Sequence, residues 1–253
     1  MRSYILEETN WNAQKDQLPE VAVLPWGATE AHNYHMPYGT DNYLASRLAE
    51  SCGKAACEKG AKVVVLPTIS YGVNTGQPDI LLDMNLNPST QFLILKDLIT
   101  VLNRQNIKKF VILNTHGGND FKQHIRELNL LFPDMLLTQC NWFKMPGFDH
   151  LFEDLGEHAG EVETSLMMHL HPELVMPLAT AGLGKAKKFS VKVLNQGWVW
   201  AERQWSKVTA DTGIGNPAKA TAEKGAILFQ FLTDKISDFL VELAEADLGD
   251  LYE

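Results

Sequence analysis

Short, almost wholly apolar runs alternate with longer amphipathic ones along this chain, and that alternation limits the fold more than any other feature. Val21–Pro25, Lys62–Pro67, Lys109–Asn114 and Met135–Gln139 are each five or six residues long. Runs with so few polar positions suit strands buried on both faces, the signature of a parallel sheet. Between them lie helical patterns. Asn42–Lys59 places Leu44, Leu48 and Ala55-Ala56 at helical spacing. Pro88–Gln105 has Pro88 in the tolerated first turn. Asp120–Phe132 follows, and then Glu161–Leu170, which His171-Pro172 ends. The βαβαβαβ order predicts an α/β fold, a three-layer α/β/α sandwich around a mostly parallel central sheet. Lys185–Val193 and Trp205–Thr212 read as added edge strands. Asn216 as cap and Pro217 at the first helical position predict a long helix from there to about Ala246. No linker, repeat or low-complexity tract interrupts the pattern, so residues 1–253 read as a single domain.

Composition removes several function classes. Lys and Arg number 22 against 31 Asp and Glu, a net charge of −9, which disfavours a duplex nucleic-acid partner. Cys52, Cys57 and Cys140 make neither a disulfide framework nor a Cys-x-x-Cys metal clip. No run approaches the ~20 apolar residues of a membrane span. Met1–Glu8 turns acidic too early for a signal peptide. The expectation is a cytoplasmic protein acting on a small-molecule substrate, with no nucleic-acid or membrane partner.

Ligands of such sheets gather at the carboxyl ends of the strands, and there the chain concentrates carboxylates and imidazoles. Glu30, His32, His35 and Asp41 follow the first strand. His116-Gly117-Gly118 follows the third, and Glu157-His158, Glu161 and Glu163 lead into a helix. Mixed Asp, Glu and His donors suit zinc, manganese or iron(II). Glu30 and His32, two apart, point the same way in an extended segment. A carboxylate such as Asp41 can bridge two ions that share one hydroxide. Taken singly, each residue has an ordinary explanation: acidic loop residues are solvated, and Glu161 and Glu163 are favoured at a helix N-terminus. His35, His124, His150, His169 and His171 read as structural. Convergence of three strand ends favours a metal site. Trp142-Phe143, at the same edge, are candidates to line its pocket. Trp198, Trp200 and Trp205 read as a subunit interface or minor core, with a lid as the alternative. Lys185, Lys187, Lys188 and Lys192 read as a solvated loop or protected edge.

Glu30-Ala31-His32, Gly39-Thr40-Asp41, Asn114–Asn119 and His158–Ser165 together resemble the creatininase (creatinine amidohydrolase) family, as does Gly213-Ile214-Gly215-Asn216-Pro217. The resemblance implies two divalent ions per subunit, zinc, manganese or iron, in a homo-oligomer that is often a hexamer. It implies Glu30 and His116 on one ion, His32 on the other, and Asp41 as the bridge. His158 would protonate the leaving nitrogen, with Glu157 orienting or relaying. The backbone N–H groups of Gly117 and Gly118 would hold the oxyanion. The chain departs from creatininases at three points. Gly118 stands where they carry a ligand Glu, and Glu163 is the candidate replacement. Asp154 stands where they carry an aromatic residue. The loop Tyr71–Gln77 lacks their Glu-His pair. The expected function is a metal-dependent amidohydrolase cleaving a cyclic amide or amidine such as creatinine. The alternatives are a formamide deformylase, a small-peptide hydrolase or, from a different class, a non-catalytic metal-binding protein.

Overall fold

The computed structural model describes residues 2–252. Four strands form one parallel sheet: β1 (Val21–Trp26), β2 (Val63–Val65), β3 (Lys109–Asn114) and β4 (Leu136–Asn141), in the order β2-β1-β3-β4. The longer helices are α1 (Thr40–Glu58), α2 (Pro88–Arg104), α3 (Lys122–Leu131), α4 (Glu161–Leu170) and α5 (Ala222–Glu245).

Successive strand residues point to opposite faces, so each apolar run feeds two cores. Val21, Val23, Val111 and Leu113 pack with Leu44 and Leu48 of α1, Leu166 of α4 and Leu228 of α5. Ala22, Leu24, Phe110 and Ile112 pack with Leu95 and Ile99 of α2 and Leu128 of α3. Helices therefore cover both faces, as the alternation predicts. Each fully buried Leu, Ile or Val contributes about 1.5–3 kcal/mol before chain entropy is set against it.

The strand order positions the site. β1 and β3 are neighbours, registered from Val21↔Lys109 to Trp26↔Asn114, although α1, β2 and α2 separate them in sequence. Chain direction across the sheet reverses between them, so a crevice opens beyond Trp26 and Asn114, where such sheets bind ligands.

Several expected boundaries shift by one to three residues, and three changes matter for the fold. Helix α1 begins at Thr40, which puts Asp41 in its first turn, where the helix dipole favours a carboxylate. Asn216 does act as a cap, accepting from the Ala218 N–H, but of a single 3-10 turn, Pro217–Lys219. The chain extends again at Ala220, and α5 starts at Ala222 under a Thr221 cap. The expected edge strands are absent: Lys185–Val193 and Trp205–Thr212 share one isolated antiparallel bridge, Ala186↔Thr209. Trp205–Val208 is instead a helical turn. Its segment is tied to another loop, by Trp205 N–H on the Gly76 carbonyl (2.9 Å) and by the Thr75–Glu202 and Ser206–Asp79 hydrogen bonds. A two-strand ribbon with no third strand or apolar face has little stability of its own. Lys185, Lys187 and Lys188 are exposed loop residues, and Lys192, also exposed, opens a 3-10 turn, Lys192–Asn195. Among the described residues no helix is long and apolar enough to cross a membrane.

Candidate metal centre

Glu30, His32, Asp41, His116, His158 and Glu163 meet at the β1–β3 crevice. Their donor atoms fall into three groups, each spanning no more than 4.8 Å: Glu30/Asp41/His116, His32/Asp41/Glu163 and Glu30/His32/His158. Three of these residues come from the segment after β1, one from the turn after β3, and two from the entry to α4. His116 Nδ1 lies 2.9 Å from Glu30 Oε1 and 3.1 Å from Asp41 Oδ2. His32 Nε2 lies 3.5 Å from Asp41 Oδ1, and His158 Nδ1 3.6 Å from Glu30 Oε1.

The backbone aims the imidazoles. A carbonyl only accepts, so the ring nitrogen facing one carries a proton, which leaves the other nitrogen as the one a metal ion would take. His32 Nδ1–H donates to the Glu30 carbonyl (3.0 Å), His116 Nε2–H to Val73 (3.0 Å) and His158 Nε2–H to Ala31 (2.8 Å). The opposite nitrogens all turn toward the carboxylates. His32 Nε2 is buried without a hydrogen-bond partner, a costly state for a polar atom and the expected one for a metal donor.

The electrostatics ask for positive charge at this point. Burial alone would push the Glu30 carboxyl up. The facing imidazoles of His116, His158 and His32 overcome it and hold Glu30 well below the usual carboxylate range. Burial would lower His32, yet Asp41, Glu163 and Glu30 raise it to about 10. His116 is likewise raised well above its ordinary value against burial, by Glu30 and Asp41. Burial dominates at Glu163 and pushes its carboxyl up. Protons on imidazole answer three clustered carboxylates; a divalent cation would answer them as well. The donor set fits zinc, manganese or iron.

A loop that sequence reasoning did not connect to the site also shapes it. Gln77 Nε2 donates to Glu30 Oε2 (2.6 Å), and Asp83 Oδ1 accepts from the Ala31 N–H (2.6 Å). The absence of a Glu-His pair was readable in residues 71–77. That a glutamine amide reaches Glu30 from there was not.

The ligand groups open onto a cavity of about 630 Å³. Gly117, Gly118, Glu157 and His158 line it. Glu157 is mostly exposed and pairs with Arg203 (2.8 Å), whose guanidinium lies 4.9 Å from the Trp205 ring. That ring meets His158 edge-on at 5.6 Å. Trp142 must be corrected: it is 2% exposed, packed against Phe148 in the core, and Phe143 lines the cavity instead. The 3-10 turn after β4 sends consecutive side chains in different directions. Trp198 and Trp200 are 73% and 83% exposed rather than core, and Trp200 reaches the cavity rim. His35 bonds Thr164 Oγ1 (2.8 Å), a structural role.

Two further departures acquire a physical reason. A Cβ at Gly118 would lie 2.3 Å from the Val73 carbonyl oxygen and 2.4 Å from His116 Nε2. No side chain fits there, and Glu163, entering from α4, occupies the donor position beside His32 and Asp41. Asp154 spends both oxygens on backbone, Oδ1 accepting from Gly156 N–H (3.0 Å) and Oδ2 from Asn216 N–H (2.9 Å). The Gly213–Pro217 motif backs the site: Ile214 exchanges backbone hydrogen bonds with His158 (2.8 and 3.0 Å).

Comparison with known proteins decides the family. Residues 7–240 match the family model described as creatininase, creatinine amidohydrolase. The chain belongs to the creatininase family. A Bacteroides fragilis NCTC 9343 protein, provisionally described as a creatinine amidohydrolase, has a crystal structure that superposes with a TM-score of 0.91. It is 39% identical, with 100% of both chains covered. The creatinine amidohydrolase of Pseudomonas putida is 28% identical over 198 residues, 69% of this chain and 74% of that protein. The mycofactocin precursor peptide peptidase of Mycobacterium ulcerans (strain Agy99) is 26% identical over 237 residues, 86% of this chain and 84% of that one. Creatininase-family relatives thus include enzymes named for different substrates.

Proposed function

We propose that this creatininase-family hydrolase is a metal-dependent amidohydrolase that holds two divalent ions and cleaves a C–N bond in a cyclic amide or amidine such as creatinine. The observation that carries it is the sharing of Asp41 between the Glu30/Asp41/His116 and His32/Asp41/Glu163 groups. Those two groups would hold the ions, with Asp41 common to both. Bound there, a pair of ions supplies a nucleophile at neutral pH and takes up charge developing on the amide oxygen. The chain supplies the rest. His158 spends Nε2–H on Ala31, which leaves Nδ1 as the atom that takes up the proton released as water attacks and passes it to the leaving nitrogen. Glu157, held by Arg203, orients that loop. The N–H groups of Gly117 and Gly118, at the cavity wall, donate to the oxyanion. A site opening onto a cavity of this size argues against a purely structural ion, since structural sites are closed by four protein ligands.

A second reading has its own support. About 630 Å³ is the size class of pockets for drug-sized ligands, and Asp154 offers no ring wall. Both favour a larger formamide or a short peptide. Zinc- or manganese-loaded protein incubated with creatinine, formamides and short peptides, with chelated protein as the blank, separates the two. Metal-dependent creatinine turnover supports the first; turnover of formamides or peptides alone moves the substrate to the second. No metal bound by the wild type refutes both. Assembly into a homo-oligomer belongs to the same proposal, supported by the exposed Trp198; a monomer in sedimentation velocity refutes it.

A further inference from the structure

We infer that Gln77 is a positioning residue that restricts Glu30 to ligation through one oxygen, Oε1, and so keeps a coordination position open toward the cavity. The inference rests on the metal-site reading above. Glu30 is 1% and Gln77 6% exposed, so bulk water competes little for their contact. A carboxylate only accepts, so the short contact of 2.6 Å fixes the amide with Nε2 on Glu30 Oε2. Asn74 Oδ1, 3.5 Å from the same nitrogen, holds that orientation. Oε2 is thereby engaged by the amide. Oε1 is the oxygen that faces the imidazoles, 2.9 Å from His116 Nδ1 and 3.6 Å from His158 Nδ1. A carboxylate with both oxygens free can close on an ion with two bonds and fill a position that substrate or water needs. With one oxygen tied to a buried amide, it contributes a single bond. Gln77 itself is placed by its loop: Gln77 N–H donates to the Asn74 carbonyl (3.0 Å), and Asn74 is tied to Asn85 and Met84.

The test uses cobalt(II), whose visible bands weaken as coordination number rises. Wild type and Gln77→Met, which keeps the length but not the donor, are loaded with cobalt. Zinc affinity is measured in parallel by chelator competition on folded apo-protein. The expected result is weaker visible bands in Gln77→Met, with zinc affinity changed by 10–100-fold, as for other partners of metal ligands. Unchanged cobalt bands overturn the inference, whatever the affinity does. If Gln77→Met does not fold, Gln77→Asn, which withdraws the amide by one methylene, carries the same test with the same outcomes. A wild type that binds neither cobalt nor zinc refutes the metal-site reading itself, a failure distinct from that of Gln77.

Discussion

Gly118→Ala should weaken metal binding out of proportion to its size. The new methyl would lie 2.3 Å from the Val73 oxygen and 2.4 Å from His116 Nε2, more than 1 Å inside the ~3.5–4.0 Å at which carbon contacts are favourable. One neighbour must give. The Val73 backbone is held by its N–H on Asn119 Oδ1 (3.0 Å) and by the Asn74 N–H on Asn85 Oδ1 (2.9 Å). The ring of His116 is the freer partner. Turning it breaks the 3.0 Å bond to Val73 and carries Nδ1 away from Glu30 and Asp41. Loss of such an orienting bond costs 10–100-fold in metal affinity, or about 1.4–2.8 kcal/mol. Gly117→Ala is the control, because a Cβ there meets nothing within 4 Å. The assay is zinc affinity by competition with a chromophoric chelator, with far-UV circular dichroism as the check on folding. A folded Gly118→Ala within about threefold of wild type, less than 1 kcal/mol, would refute the reasoning. Gly118→Glu should fail in the same way, because the obstacle is the Cβ.

Three further outcomes are expected. His158→Ala should lose 10²–10⁴-fold of the hydrolytic rate while keeping its metal content, whereas Asp41→Ala should lose metal; equal metal loss in both would make His158 a ligand. Lys224→Met should strand the buried Glu161 carboxylate, leaving it only the Glu153 and Asp154 N–H groups. Removing one partner of a buried pair costs about 3–5 kcal/mol, and the partly exposed Lys224 ammonium puts this pair at the low end; a urea midpoint equal to wild type would contradict it. Burial, with the charge on His32, depresses His35 to about 4. Between that value and the ordinary ~6.5 the unfolded chain binds the extra proton, so this contribution is whole above pH 6.5 and lost on acidification, by about 2 kcal/mol at pH 5. His35→Gln should flatten that part of the apo-protein's pH–stability curve; an identical slope in the variant would remove His35 as the cause.

Much of the architecture was legible in the chain because its causes are local. Apolar runs such as Lys109–Asn114, with no polar face, demand cover on both sides, and their alternation with helical spacing leaves the parallel sandwich as the economical solution. Glu30, His32, Asp41 and His116 could be singled out for a related reason: in a parallel sheet every strand ends at the same edge, so residues after β1 and β3 meet whatever lies between them in sequence. The edge strands at Lys185–Val193 and Trp205–Thr212 misled because alternation is a local pattern, while a strand needs a neighbour. That segment spends its hydrogen bonds on Gly76, Thr75 and Asp79 instead.

Tertiary structure decided what depends on the approach of segments remote in sequence. Only the packed chain sends Trp142 into the core and Phe143 to the cavity. Only it brings Gln77 onto Glu30, 47 positions away. Glu163 could be named as a candidate from sequence, yet its place beside His32 and Asp41 depends on how α4 docks against α5 and α1. Gly118 reads as a missing ligand in sequence and in space is a point where His116 and the Val73 backbone leave no room for a Cβ. Periodicity and strand ends are properties of a segment, whereas excluded volume and buried hydrogen bonding belong to pairs of segments and exist only once the chain has packed.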